Sequence, residues 1–341
     1  MVTENIVVKQ AILHVLDSEH GKMILSSQCL SLGSLMAEFI KNHISRLVRN
    51  DSVKKCYFKE QNSETRVLST KIDPDIFVQS SQELAKRLYS IMYSNAEAIP
   101  PADLLMCLFA ESGVSYLAIL KLDYRKFFTH NTVLDEDGEV NELVLSSSLL
   151  PSSSIKLSEA AIIPYDSKYA LILEKRHNIN GMRQFYFSEQ FLECYSFKST
   201  AEQINMVTKT LEEINRKYHA ADCAVQNMET KKRLHEALED EGILDIQKVA
   251  EDIFDSGESA MAKEEFVEKM ERFKLDKRVI SPAENKSFNR FATQRVKTDN
   301  GIIIEIPMDT YKDKACVEFV TNQDGTVSIL LKDLRIVESR L

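Results

Sequence analysis

The sequence predicts an α+β protein, with an antiparallel sheet and helices in the N-terminal domain, a helical middle and a small β-rich C-terminal part. Three observations predict this order. Short apolar runs between turn residues dominate up to about residue 198, apolar residues then recur every three or four positions until about 275, and strand-like runs return afterwards. We therefore expect domains over residues 1–198, 199–275 and 276–341.

The first hundred residues combine a hairpin with two helices. Residues 6–16 are rich in Val, Ile and Leu and predict a strand, and residues 22–26 predict its hairpin partner. Apolar residues at helical spacing predict a helix over 34–50, capped by Ser34. The same spacing predicts a second helix that begins near Phe77.

Further hairpins follow. Because hairpins connect antiparallel strands, their succession favours an antiparallel sheet packed on helices over a parallel, dinucleotide-binding type of sheet. The predicted strands are 104–110 with 115–123, 127–134 with 139–146 across the turn Asp137-Gly138, and the two short runs 160–164 and 168–174.

The middle of the chain changes to a helical period. Ser199 and Glu202 have the spacing of a capping box, which predicts that a helix begins there. Further helices are predicted over 222–240, 245–254 and 260–273, and strands over 301–307, 314–321 and 326–331.

Composition indicates a globular protein of the cytoplasm. The 341 residues are 44% hydrophobic and 28% charged, and they contain no apolar run of the roughly 20 residues that a membrane helix needs. The first ten residues lack the pattern of a secretory signal. Six scattered cysteines fit reduced thiols better than a disulfide framework. We expect no membrane association.

The net charge of −9 is unevenly distributed. Residues 201–280 contain 13 Lys and Arg against 19 Asp and Glu, a net charge of −6, whereas residues 281–341 contain nine of each. This acidity argues against indiscriminate coating of nucleic acid, but it leaves room for a local basic surface.

The sequence contains none of the local motifs that indicate an enzyme. Its nine glycines are too far apart for a phosphate-binding loop, and no nucleophile elbow is present. His235 begins a zincin-like pattern, but Glu239 stands where the second His is required. We expect a non-enzymatic protein without a metal or cofactor. A carboxylate pair assembled only by folding would leave no local signal.

The predicted helices over 245–254 and 260–273 have the size of a helix-turn-helix. The second of them is too acidic to lie against phosphate, with Glu264, Glu265, Glu268 and Glu271 in its sequence. We therefore expect this pair to be a structural or protein-facing helical hairpin.

Basic residues gather in three clusters. The first lies on the predicted helix over 34–50 and in the residues just after it. The second lies in the loop that follows the strand "YALIL" and precedes a helix in "FSEQF". The third runs from 286 to 297 without an acidic residue. Each cluster is either solvated surface or a phosphate contact, and Phe288 and Phe291 have the spacing of core-facing helix residues.

The order of these features resembles the bacterial nucleoid-associated protein family of the YejK/NdpA type. The similarity extends over nearly the full length. It differs at His177-Asn178, where a glycine and further basic residues are expected. The segments that carry the resemblance are Ile12-Leu13-His14, the strand pair around 118–124, "AAIIP", "YALILEKR", "FSEQFLECYSFKSTAEQINMV" and "FNRFATQRVKTDNGIIIEIP".

The resemblance implies a non-enzymatic protein of the cytoplasm and nucleoid that binds double-stranded DNA. Because phosphate contacts position a protein without reading the bases, we expect little sequence specificity. It also implies partner proteins of DNA topology, such as type II topoisomerases. A homodimer would double a weak basic face. The alternative is a protein–protein adaptor that uses the acidic helices and associates with DNA only indirectly. Charge selects as candidate DNA-binding residues Lys175, Arg176, Arg183, Lys286, Arg290, Arg295 and Lys297.

Overall fold

The computed structural model describes residues 5–60, 63–70, 74–135, 138–254, 260–282, 286–322 and 326–332. The chain divides into two compact units, Met1–Lys198 and Ser199–Leu341. The predicted regions 199–275 and 276–341 both lie within the second unit.

The first unit contains three α-helices and twelve strands in its described part, together with a π-helical turn at Phe187–Phe191. The helices are α1 (Ser34–Val48), α2 (Glu64–Thr70) and α3 (Phe77–Ser94). The strands are β1 (Val7–Asp17), β2 (Lys22–Ile24), β3 (Lys54–Phe58), β4 (Ala102–Glu111), β5 (Val114–Asp123), β6 (Arg125–Asp135), β7 (Gly138–Leu149), β8 (Ala160–Pro164), β9 (Tyr169–Leu173), β10 (His177–Ile179), β11 (Met182–Gln184) and β12 (Cys194–Tyr195).

Eight of these strands form one sheet in the order β12-β3-β9-β8-β5-β4-β1-β2. Every neighbouring pair in the sheet is antiparallel. The fold class predicted from the sequence, α+β with an antiparallel sheet, is therefore confirmed.

Strand β4 shows why this sheet needs a layer on each side. Nearly all of its residues are buried, and successive side chains of a strand point to opposite faces. Leu104 and Met106 belong to one hydrophobic cluster, whereas Leu105, Cys107 and Phe109 belong to another. The central strands therefore contribute to two cores, one on each face of the sheet.

The two long helices cover these faces. Helix α1 places Ile40, Ile44 and Leu47 in the cluster of Phe109, and α3 places Leu84 and Leu88 in the cluster of Leu104. The spacing of three and four residues puts these side chains on one side of each helix. The predicted cap is wrong, because Gly33 occupies the N-cap position of α1 and Ser34 is already helical.

The second unit contains six helices and six short strands among its described residues. The helices are α4 (Thr200–Tyr218), α5 (Cys223–Glu241), α6 (Ile246–Ile253), α7 (Ala260–Phe273), α8 (Lys286–Phe291) and α9 (Met308–Lys312). The strands are β13 (Leu244–Asp245), β14 (Val279–Ile280), β15 (Thr293–Lys297), β16 (Ile303–Pro307), β17 (Val317–Thr321) and β18 (Val327–Leu331). They pair as three two-stranded antiparallel ladders, of which β13–β14 is closed over α6 and α7.

One buried cluster joins the helices of the second unit. The capping box predicted at Ser199 and Glu202 is present at the start of α4. Leu211 of α4, Phe266 of α7 and Phe291 of α8 lie in the same cluster. Phe291 is thus the core residue that its spacing predicted, whereas the side chain of Phe288 lies outside the described residues. Among the described residues, no helix is long and apolar enough to span a bilayer.

Candidate nucleic-acid interface

The segment after β9, for which the sequence predicts a loop, folds as the tight hairpin β10–β11. Ile179 pairs with Met182, so the turn contains only Asn180 and Gly181. Their φ angles are 52° and 79°. Two-residue hairpin turns need positive φ at both central positions, which Asn-Gly adopts more readily than most residue pairs. This dipeptide is a signal for the hairpin that the sequence analysis did not use.

Three of the predicted DNA-binding residues lie on or beside this hairpin. Lys175, Arg176 and Arg183 are all exposed. The Lys175 ammonium donates a hydrogen bond to the Ser158 hydroxyl at 3.0 Å. The Arg176 guanidinium lies 4.7 Å from the centre of the Phe185 ring, which holds it in a cation–π contact. The three side chains therefore present positive charge to solvent on the hairpin and just before it.

His177, in the middle of the same segment, points inward instead. Its Nε2 lies 2.8 Å from Oε1 of Glu159 and its Nδ1 lies 2.8 Å from the carbonyl oxygen of Ala98. Both ring nitrogens of His177 therefore lie at hydrogen-bonding distance from an oxygen atom inside the protein. This contact fixes the start of the hairpin to the sheet.

Glu159 is the centre of a buried network of charges. Its Oε2 lies 3.4 Å from Nζ of Lys121, whose ammonium is also paired with Asp123. Lys121 and Glu159 are both fully buried. Burial alone would raise the pKa of the Glu159 carboxyl, but the hydrogen bond from His177 and the charge of Lys121 outweigh it and lower this pKa.

A second buried carboxylate holds both sides of the hairpin. Glu174 precedes it and accepts a hydrogen bond of 2.9 Å from the backbone N–H of Ser188, which follows it. Nζ of Lys54 lies 3.6 Å from the same carboxylate and 3.3 Å from the centre of the Phe185 ring. Burial raises the pKa of Glu174, although hydrogen bonds from Ser188 and the charge of Lys54 oppose part of this increase. Lys54 belongs to the first basic cluster of the sequence, just after the helix over 34–50. It is buried, so it has a structural role in the fold.

The other predicted residues lie along a groove of about 700 Å³ in the second unit. Arg290 of α8 and Arg295 and Lys297 of β15 line it, together with Lys231 of α5, which the sequence analysis did not select. Glu212 and Asp299 are the acidic residues of the lining. The side chain of Lys286 lies outside the described residues.

Neighbouring polar groups position the cations of this groove. Arg290 donates to the side chains of Asn205 and Thr208, the second at 3.3 Å. Nζ of Lys231 donates to the carbonyl oxygen of Thr293 at 2.6 Å. Burial, and next the charge of Arg290, lower the pKa of Lys231. The two cations are therefore near enough to repel each other.

The remaining two cations are more loosely held. Arg295 pairs with Glu305 at 3.4 Å, and both side chains are more than half exposed. Lys297 is also exposed. Arg295 and Lys297 are two positions apart on β15, so their side chains leave the strand on the same face.

The predicted DNA-binding residues thus fall into one set per unit. Lys175, Arg176 and Arg183 belong to the first unit, and Arg290, Arg295 and Lys297 belong to the second. That both sets form one DNA-binding face stays a prediction.

A row of three tyrosines, two of them exposed and Tyr169 half-buried, crosses the edge of the large sheet, and the sequence did not predict it. Tyr57 of β3 pairs with Tyr169 of β9 on one side and with Tyr195 of β12 on the other. Nζ of Lys55 lies 4.2 Å from the centre of the Tyr169 ring. Exposed rings beside lysines can stack on unpaired bases. The residues are far apart in sequence, so only the strand order brings them together.

Metal chemistry has no evident place in the described part of the chain. Its residues include no group of three or more His, Cys, Asp or Glu side chains arranged to hold a metal ion. His235, which begins the zincin-like pattern, is buried, and its Nδ1 lies 3.6 Å from the Glu239 carboxylate.

The structure thus defines an α+β protein with one exposed set of cations on a hairpin and another along a groove. Comparison with protein families assigns it more closely. The family model described as nucleoid-associated protein YejK matches residues 12–339, nearly the whole chain. The chain therefore belongs to this family of nucleoid-associated proteins, as its sequence features indicated. No curated protein matches the chain.

Glu159 provides a test of how the hairpin is anchored. Replacing it by Gln removes the ionised partner of His177 and one of the two carboxylates beside Lys121, which keeps Asp123, so Glu159→Gln should lower the free energy of unfolding by at most about 3–5 kcal/mol at pH 7. Because folding lowers the pKa of Glu159, its contribution is complete above the unfolded pKa and disappears as the pH falls through the folded pKa. The difference between the proteins should therefore shrink below about pH 4.

Urea unfolding followed by circular dichroism measures this difference, and amide exchange in β8 and β9 assigns it to the first unit. Glu83→Gln is the matched control, because its ion pair with Lys86 is exposed and should contribute less than about 1 kcal/mol. Equal losses in the two variants, or a difference that stays constant with pH, would contradict the anchoring role of Glu159.

Proposed function

We propose that this nucleoid-associated protein binds double-stranded DNA directly, in the cytoplasm and nucleoid, through the hairpin cations and the groove cations. The observation that carries the proposal is the placement of Lys231 and Arg290. Both side chains line the same groove, and burial, followed by the charge of Arg290, lowers the pKa of Lys231, so two positive charges are held together there. An anion between them would relieve this repulsion, and phosphate is the anion that DNA presents in every sequence.

The charge of the whole molecule favours local contact over broad coating. With a net charge of −9, the protein repels DNA except where its cations are concentrated. Each phosphate that Lys or Arg neutralises releases counterions and strengthens binding. If four to six such contacts form, log K should fall against log salt with a slope of about −4 to −5.

We propose that these contacts give little sequence specificity. Cations that contact phosphate fix the position of a protein on DNA, whereas base edges carry the sequence information. The proposed activity is binding and not catalysis. Membership of a nucleoid-associated family supports this proposal, and so does a sequence that contains no phosphate loop or nucleophile motif.

A double substitution in the groove tests the second set of cations. Arg295→Ala with Lys297→Ala should reduce the salt slope by about two units if both side chains contact phosphate. Both residues are exposed, so the fold should be retained. Fluorescence anisotropy with a labelled duplex at several salt concentrations measures the slope, and duplexes of different sequence should lose affinity alike.

Lys277→Ala with Arg278→Ala is the matched control. Both residues are exposed, belong to the same unit and do not line the groove. Their substitution removes the same charge as the groove variant. The control should change the slope by much less than the groove variant. Equal slopes in the two variants would remove Arg295 and Lys297 from the DNA interface.

The hairpin is tested separately, because it belongs to the other unit. Lys175→Ala with Arg176→Ala should flatten the salt slope by a further two units, roughly additively with the groove variant. Asn178→Ala is the control, since Asn178 is an exposed and uncharged residue of the same hairpin. An unchanged slope in a folded double variant would identify Lys175 and Arg176 as solvated surface.

The competing function is an adaptor that binds partner proteins, such as type II topoisomerases, through the acidic helices. It is favoured by Glu264, Glu268 and Glu271, which are exposed along α7. Several carboxylates of this region already pair with neighbouring cations, as Glu268 does with Arg272 at 2.6 Å. Such exposed pairs hold little energy, so a basic partner could replace them.

Neutralising α7 separates the two functions. Phe266 and Met270 of this helix are buried in the core of the unit, so substitution of exposed residues is a safer test than deletion. The variant Glu264→Gln, Glu268→Gln and Glu271→Gln should retain its affinity for duplex DNA if DNA binding is direct. Anisotropy with DNA and pull-down with a purified type II topoisomerase measure both activities. If the wild type associates with the duplex only when the topoisomerase is present, and the variant loses both, DNA contact is indirect and the adaptor is supported.

A further inference from the structure

The tyrosine row of the large sheet belongs to a larger group of aromatic rings. Tyr169 of β9, Tyr57 of β3 and Tyr195 of β12 occupy neighbouring strands. The ring centres of Tyr57 and Tyr169 are 6.2 Å apart, and the Phe197 ring lies 5.8 Å from that of Tyr57. Strand β12 ends the sheet order, so this ring group lies at an edge of the described sheet.

The rings point away from the core beneath the strands. Cys56, the neighbour of Tyr57 in β3, is fully buried in one of the two cores, and successive side chains of a strand point to opposite faces. Tyr57, Phe197 and Tyr195 are 41%, 51% and 59% exposed. Grouped apolar side chains with this exposure mark an interaction site.

Lysines lie beside this ring group. Nζ of Lys55 lies 4.2 Å from the centre of the Tyr169 ring and 5.6 Å from that of Tyr57. Nζ of Lys59 lies 6.0 Å from the centre of the Tyr195 ring. Strands β3, β9 and β12 themselves contain no acidic residue. The surface therefore combines exposed rings with positive charge.

The acidic residues that flank β3 and β12 do not cancel this charge. Glu193, directly before β12, is already paired with Arg87 at 2.5 Å. Glu60 is exposed directly after Lys59, where it opposes one of the two lysines beside the rings. Lys55 retains its charge on the ring surface, so an anionic ligand is favoured there.

A ligand that suits this surface brings flat apolar faces together with negative charge. Single-stranded DNA has both, because each nucleotide joins a base, which can stack on an aromatic ring, to a phosphate. A duplex presents only base edges in its grooves. RNA-recognition domains likewise stack two or three bases on aromatic rings of a sheet. For a member of a nucleoid-associated family, DNA is the nucleic acid at hand.

We propose that the sheet face of Tyr57, Tyr195 and Phe197 binds single-stranded DNA through bases stacked on these rings. Lys55 and Lys59 then lie near its phosphates. The site differs in residues and in chemistry from the proposed duplex site, so neither proposal depends on the other. Stacking accepts every base, so binding should depend little on sequence.

Removal of two exposed rings tests the stacking. Tyr195→Ala with Phe197→Ala should weaken the binding of a short labelled oligo(dT) at least about 25-fold, or about fivefold for each ring at the lower limit. The swapped variant Tyr195→Phe with Phe197→Tyr keeps both rings and should retain the affinity within about twofold. Tyr93→Ala with Phe128→Ala is the matched control, since it removes one ring of each kind from exposed positions outside the group. Fluorescence anisotropy of the full chain measures binding, and circular dichroism confirms the fold.

Three results would overturn the stacking site. The first is a wild-type chain that does not bind oligo(dT), which would make the rings a surface for a protein. The second is an alanine variant that binds as well as the control, or a swapped variant that binds as weakly as the alanine variant. The third is binding of oligo(rU) without binding of oligo(dT), which would contradict the assignment to DNA.

The lysines and the duplex provide a second test. Lys55→Ala with Lys59→Ala should flatten the dependence of log K on log salt for oligo(dT) by about 1.4 units, since each single-strand phosphate contact contributes about 0.7. The alanine ring variant should keep its affinity for a duplex, which presents no base faces. Equal losses for duplex and oligo(dT) would show that the rings do not select unpaired bases and would overturn the proposal. Binding of oligo(dT) by a wild-type chain that ignores the duplex would refute the duplex proposal alone and support this one.

Discussion

The requirement to bury both faces of an antiparallel sheet is the constraint on which the first unit depends. Strands β4 and β5 contribute to two cores at once, and α1 and α3 must therefore lie on opposite sides. At the edge formed by β9, β3 and β12, Tyr57 and Tyr195 are exposed and Tyr169 is half-buried. Pairing of these three strands places the three tyrosines side by side.

Burial also separates the cations of the first unit by role. Lys54 and Lys121 are enclosed, and each lies beside a buried carboxylate that offsets the loss of hydration. Lys175, Arg176 and Arg183 remain in solvent, where a charge costs little and is free to meet a phosphate. His177 belongs to the enclosed group although it is next to Arg176 in sequence. The two kinds of cation are joined, because the Glu159 and Glu174 contacts hold in place the hairpin that presents the exposed ones.

The second unit combines an acidic composition with a local positive groove. Many carboxylates of its acidic helices form ion pairs with lysines and arginines of the same unit, such as Glu213 with Lys269 and Glu239 with Lys312. The groove cations have mostly neutral partners, since Arg290 contacts Asn205 and Thr208 and Lys231 contacts a carbonyl. A neutral partner positions a cation without cancelling its field. A protein with excess negative charge can in this way keep a surface suited to an anionic ligand.

The sequence by itself determined the α+β class, the main helices and hairpins, the capping box at Ser199 and the family. These follow from periodicity and local hydrogen bonding, which depend on residues close together in the chain. It also carried an unused signal for the β10–β11 hairpin in Asn180-Gly181. Only the tertiary structure decided that Lys54 and His177 are enclosed, that Lys231 joins the groove of Arg290, and that Phe128 and Leu143 stay exposed. Burial and the meeting of charges depend on which distant segments the fold brings together, and neither composition nor spacing contains that information.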